Sequence, residues 1–77
     1  MDPHGSDCPV QIGSYIELRN MPDDPNPIPV GTRGTVHSAV RMSTEWHISV
    51  DWENGRSLCV IYPFDTFVVL TSPALPF

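Results

Sequence analysis

The sequence predicts a single small all-β domain. Three observations carry this. The chain has 77 residues, enough for one domain. Its 9 prolines and 5 glycines suit short strands and turns and break long helices. And Trp46, Ile48, Val50 and Trp52 alternate with His47, Ser49 and Asp51, a period of two with one apolar and one polar face.

Composition narrows the function classes. A domain this short buries only ~60% of the surface its unfolded chain exposes, so its core is thin. Hydrophobic residues make up 40% of the chain, which argues against disorder. Four arginines, no lysine and nine acidic residues give a net charge of −5. A protein that neutralises phosphates needs clustered Lys and Arg. Arg19, Arg33, Arg41 and Arg56 are scattered, so direct nucleic-acid binding is disfavoured. A basic partner surface, including one that normally holds nucleic acid, suits the charge better. The plain alternative is that the charge serves solubility. No apolar run approaches the ~20 residues of a membrane span. Residues 1–7 lack the positive and apolar regions of a signal peptide, so a cytoplasmic location is expected. Cys8 and Cys59 are too few for a disulfide framework and are read as free thiols.

Along the chain, residues 1–12 read as a flexible arm. Ser14 to Asn20 is the first strand, with Tyr15, Ile16 and Leu18 apolar. The four prolines between Met21 and Gly31 forbid a helix or central strand there, so that segment is a long loop. Ile28 and Val30 are expected to plug one end of the fold from it. The loop is alternatively a strip offered to another protein. Thr32 to Val40 is the second strand, with Thr32, Gly34, Val36, Ser38 and Val40 on one face. Gly34 marks a bend or a close backbone approach. Arg41 to Glu45 is a polar connection to the strand that ends at Trp52.

Glu53-Asn54-Gly55 is the strongest hairpin signal, and parity sets its length. A two-residue loop would place Val50 opposite Cys59 and leave Leu58 and Val60 on the polar face. A three-residue loop with Gly55 left-handed pairs Trp52 with Arg56, Val50 with Leu58 and Ile48 with Val60. The second arrangement gathers the larger apolar side chains on one face and is the one expected. Ser57 to Tyr62 is the partner strand. Pro63-Phe64-Asp65 is a tight corner, such as a single 3₁₀ turn. Thr66 to Leu70 is the last strand. Residues 71–77 are a tail from which Leu75 and Phe77 can fold back onto the body.

Five short strands, a long proline-rich first loop and a corner before the last strand describe a small SH3-like barrel over residues 13–70. Closure of the barrel would remove exposed strand edges. An OB-fold, which needs longer strands, ranks second.

Several spaced motifs then point to a family. They are Gly13, the Met21-Pro22-Asp23-Asp24-Pro25 run, Gly31-Thr32-Arg33-Gly34-Thr35-Val36, Val50-Asp51-Trp52-Glu53-Asn54-Gly55, Leu58 and Asp65-Thr66-Phe67. In this order they resemble a small family of unknown function from bacteria, phages and mobile elements. Glu53 stands where that pattern usually has Asp, and the Arg41 to Glu45 connection lacks its acidic, Gly-containing turn. The resemblance implies an SH3-like barrel and no reaction. By association it points toward a host enzyme or defence system as target.

The candidate partner-binding residues are Asp23, Asp24, Asp51, Glu53, Arg56, Tyr62, Phe64 and Asp65. Aspartate before proline commonly builds turns, so the first reading of Asp23 and Asp24 is structural and the second is partner contact. Tyr62 and Phe64 flank Pro63 at a corner and suit exposed anchors. Trp52 and Phe67 are read as core. Arg56 either forks onto a partner carboxylate or pairs with Glu53 or Asp51. His4, Cys8, His37 and His47 form no close metal-ligand pair, so no metal or cofactor is expected. A 77-residue barrel has little room for a water-excluding pocket beside its core, so no enzyme is expected.

The expected function is a non-catalytic protein-binding module that modulates or inhibits a host complex, such as a defence (anti-CRISPR-type) target, through an acidic and aromatic surface. A nucleic-acid-binding SH3-like module is the alternative and requires the four arginines to converge. A structural homodimer or accessory subunit is the third reading.

Overall fold

The structure is a computed structural model that describes residues 8–22 and 24–73. Five strands follow in chain order: β1 (Tyr15–Asn20), β2 (Arg33–Met42), β3 (Glu45–Trp52), β4 (Ser57–Tyr62) and β5 (Thr66–Thr71). They form one antiparallel sheet in the order β4-β3-β2-β1-β5. The expected closure into a barrel is not present, and β4 and β5 remain the two edges of the sheet.

The alternation of β3 works as expected. Ile48, Val50 and Trp52 are buried, and Trp46 packs against the core they join. The hairpin register is the one that parity selects: Val50 pairs with Leu58 and Ile48 with Val60. The Gly55 amide donates to the Trp52 carbonyl at 3.0 Å, and Gly55 adopts φ +88°. Only glycine takes that backbone without a Cβ penalty, which closes the three-residue loop. The Trp52 indole N–H donates to the Leu58 carbonyl at 2.9 Å, so the buried ring keeps its polar atom satisfied.

β2 departs from the simple alternation. Val36 pairs with Val50, yet Ser38 pairs with Ser49, so His37 is an extra residue in a bulge. The bulge flips every later side chain of β2. Ala39, opposite Ile48, packs against the core, and Val40 is 55% exposed where the sequence placed it with Val36. β2 also runs on to Met42, which pairs with Glu45, so Ser43 and Thr44 alone make the turn. Gly34 lies in β2 opposite Trp52. A Cβ there would sit 2.7 Å from the Asp51 carbonyl oxygen and 2.7 Å from the Val50 side chain. The glycine is required by the close approach of β2 to β3.

The core holds Val10, Ile16, Leu18, Met21, Ile28, Val36, Ile48, Val50, Trp52 and Val60. One of these corrects the sequence reading. Val10, read within a flexible arm, is buried, so the body begins before Gly13. From the β1–β2 connection Ile28 enters the core as expected, whereas Val30 is exposed. At the corner, Tyr62-Pro63 is a cis peptide within a turn, and residues 63–65 form no 3₁₀ helix. Thr71, expected in the tail, closes β5 by pairing with Tyr15. Leu75 and Phe77 lie outside the described residues.

Candidate functional site

The polar face of the β3–β4 hairpin leads to a groove. In β4, Leu58 packs against the core and Val60 is buried within it, so Ser57, Cys59 and Ile61 point the other way. Cys59 lies opposite Ser49 and Ile61 opposite His47. Beyond β4 the chain turns through Phe64 and Asp65, and Glu45 stands at the near end of β3. With Asp24 from the β1–β2 connection, these residues line a groove of about 420 Å³: Asp24, Glu45, Cys59, Ile61, Phe64 and Asp65. Three carboxylates thus surround a floor of one thiol, one aliphatic and one aromatic side chain.

Each wall is held by a local device. Asp24 accepts the Asn26 amide on Oδ1 at 2.8 Å, the side-chain-to-backbone turn expected of aspartate before proline. Asp65 closes the corner twice over. Its carboxylate accepts the Ile61 amide at 2.9 Å, and its own amide donates to the Ile61 carbonyl at 2.8 Å. Asp65 is 5% exposed, so it is a structural carboxylate at the groove edge and not the open contact the sequence suggested. Glu45 Oε1 lies 3.3 Å from His47 Nε2. Phe64 is 52% exposed, as an anchor should be.

The remaining candidates are dispersed. Asp51 is exposed on β3, beside Ser57. Glu53 faces β1 and accepts the Tyr15 hydroxyl on Oε2 at 2.6 Å. That bond raises the Tyr15 pKa above its ordinary value. Arg56 pairs neither with Glu53 nor with Asp51. Its guanidinium donates to the Asn26 carbonyl at 2.7 Å and the Pro27 carbonyl at 3.0 Å, so it is committed to the β1–β2 connection. Tyr62 packs edge-on against Phe67, with centroids 6.5 Å apart. It lines a second, smaller groove with Pro9, Asp65, Thr66, Phe67 and Val69. Asp23 lies outside the described residues. The structure therefore brings Asp24, Phe64 and Asp65 together, sets Tyr62 beside Asp65 in the second groove, and leaves Asp51, Glu53 and Arg56 outside both.

Sequence reasoning missed Glu45, Cys59 and Ile61. The signal for two of them was present: in a strand whose core positions are Leu58 and Val60, Cys59 and Ile61 are apolar residues on the outward face.

Of the four arginines only Arg19 and Arg33 come together, and they do so on one carboxylate. Arg33 Nε donates to Glu17 at 3.1 Å, and Arg19 lies 3.5 Å from the same carboxylate. Arg41 stands over the Trp46 ring at 6.0 Å. Arg33 and Arg41 are eight residues apart on β2, roughly 25 Å at strand rise. Among the described residues no three His, Cys, Asp or Glu side chains converge to hold a metal ion.

Residues 10–70 match the family described as Domain of unknown function (DUF4314), and the chain belongs to that family. No curated protein and no solved structure matches it.

Proposed function

We propose that this DUF4314 member is a non-catalytic protein-binding module whose groove receives a cationic side chain from an extended, partly apolar segment of its partner. The observation that carries this reading is the pairing of the Asp24 and Glu45 carboxylates, and of the buried Asp65 at the edge, with the apolar side chains of Cys59, Ile61 and Phe64. Carboxylates beside an apolar surface suit the long stem and charged head of Arg or Lys. A volume of about 420 Å³ suits one or two such side chains.

Other features support the same reading. The charge of −5 favours encounter with a basic surface. The Cys59 thiol lies 3.5 Å from the Ser49 hydroxyl, a group that is no base for nucleophilic chemistry. Arg19 and Arg33 share the Glu17 carboxylate, Arg41 stands over Trp46 and Arg56 is held by backbone carbonyls, which works against the nucleic-acid reading. Five strands, a long β1–β2 connection and a corner before β5 fit an SH3-like strand order in a sheet that stays open. The resemblance to phage and mobile-element proteins extends the proposal to a host complex, including a defence assembly with a basic nucleic-acid-binding surface.

The test is an NMR titration of the isotope-labelled protein with a short arginine- and leucine-containing peptide and its glutamate counterpart. The arginine peptide is expected to shift the amides of Glu45, Cys59, Ile61 and Phe64. Added salt and Glu45→Lys should both weaken the response. Shifts that spare the groove, or equal shifts with the acidic peptide, would overturn the proposal.

A further inference from the structure

We infer that β5 is a self-association edge through which two copies of this chain join their sheets across a two-fold axis. β5 reads Thr66-Phe67-Val68-Val69-Leu70-Thr71 and, among the described residues, pairs on one side only, with β1. None of its residues is buried. Val68, Val69 and Leu70 are 37%, 43% and 38% exposed, although Phe67 packs partly against the core. The strand lacks the devices that protect natural edges: it holds no Lys, no Pro and no inward-pointing charge. Six residues of high β-propensity without charge are the pattern that favours pairing with an identical segment.

The charge distribution selects the occupant. A basic partner drawn by the net charge finds nothing to attract it on an uncharged strand, whereas a like strand brings no charge against it. The occupant must also present a free strand edge of its own. The β4 side of the sheet is attended by the β1–β2 connection: Arg56 holds Asn26 and Pro27, and Asp24 stands beside Cys59 and Ile61. The open, neutral edge among the described residues is β5, and a second copy supplies it. A two-fold interface needs this self-complementarity.

The register follows from hydrogen-bond direction. The Leu18 amide donates to the Thr32 carbonyl, and the Gly31 amide donates to the Leu18 carbonyl. Leu18 thus spends both backbone groups on the side away from β5. Phe67 is its partner in β5, and Glu17 and Ile16 pair with Val68 and Val69. By alternation, Val68 bonds to β1, while Phe67 and Val69 turn their N–H and C=O to the free edge. Only registers that oppose residues of the same orientation are allowed. Centring the axis on Val68 opposes Phe67 to Val69 of the partner, and the reverse, which forms two bonded pairs and four hydrogen bonds. Each aromatic ring then meets a β-branched side chain. The skipped Leu70 in the β1 pairing is a bulge that ends the usable edge.

The experiment combines sedimentation with register-specific crosslinking. The wild-type mass is expected to double between micromolar and millimolar concentration. A single-chain mass throughout would overturn the inference. In a Cys8→Ser/Cys59→Ser background, Val68→Cys sits on the axis, where non-bonded partners lie ~4.5 Å apart between Cα atoms. It should form an intermolecular disulfide readily. Val69→Cys meets its own copy beyond the ~7 Å reach of a disulfide and should not. Equal crosslinking of the two, or none, would overturn the register and the interface. Val68→Lys opposes two like charges across the axis and, within one chain, lies beside Glu17. It should be monomeric with an unchanged circular dichroism spectrum, and a persistent dimer would overturn the inference.

Discussion

The Arg56 guanidinium donates to the Asn26 carbonyl oxygen at 2.7 Å, tying the tip of the β3–β4 hairpin to the β1–β2 connection 30 residues away. A second N–H reaches the Pro27 carbonyl. One planar fork thereby holds two successive backbone acceptors, next to the residue, Ile28, that enters the core. Arg56→Ala should cost about 1–2 kcal/mol, since hydrogen bonds from charged groups are worth more than neutral ones. Arg56→Lys should recover only part of this, because a single ammonium cannot reproduce the fork. Urea unfolding of the three proteins checks the order. Equal stability of the alanine variant and the wild type would sink the pinning role.

Gly34 allows a sharper test, with an internal control. Gly34→Ala drives a Cβ to 2.7 Å from the Asp51 carbonyl oxygen, and that atom belongs to the backbone of a paired strand. The sheet must shift to admit it, so a loss of at least about 2 kcal/mol is expected. Gly55→Ala meets no atom within 4 Å and bears only the cost of φ +88°. Its loss should be about 1 kcal/mol. Thermal or urea unfolding ranks the two. The reverse order would mean that β2 and β3 part easily at this point.

Much of the fold was legible because it follows from parity. Alternation in β3 identified Ile48, Val50 and Trp52, and the requirement that Leu58 and Val60 join them set a three-residue loop, which the registers match. Parity also explains the failures. A single extra residue at His37 reverses the face of all that follows, and no residue type near it announces the bulge. Val40 and Ala39 therefore exchange places. Arg56 was misassigned for a different reason. Its partners are carbonyl oxygens, which every residue carries, so no complementary side chain exists to be found. The groove was half legible: Phe64 and Asp24 came from corner and turn chemistry. Glu45, Cys59 and Ile61 join them only once the turn at Ser43 and Thr44 and the β3–β4 register are known.

Tyr15 and Glu53 make the clearest pH prediction. The Tyr15 hydroxyl donates to the Glu53 carboxylate, and that bond is the main reason its pKa lies above the ordinary 10.0. Desolvation and the Glu53 charge push the same way, while Arg33 pulls against them. The folded value exceeds the unfolded one. Any stability from this bond is thus complete below pH 10.0 and is lost as pH rises through the folded value. The chain has two tyrosines, so Tyr62→Phe isolates Tyr15 for an ultraviolet absorbance titration. The midpoint should lie above 10.0 in that background. Glu53→Gln should lower it and Arg33→Ala should raise it further, opposite signs from two neighbours of opposite charge. A midpoint that ignores Glu53→Gln would show that the hydroxyl does not spend its time on that carboxylate in solution, and Glu53 would then be free to meet a partner.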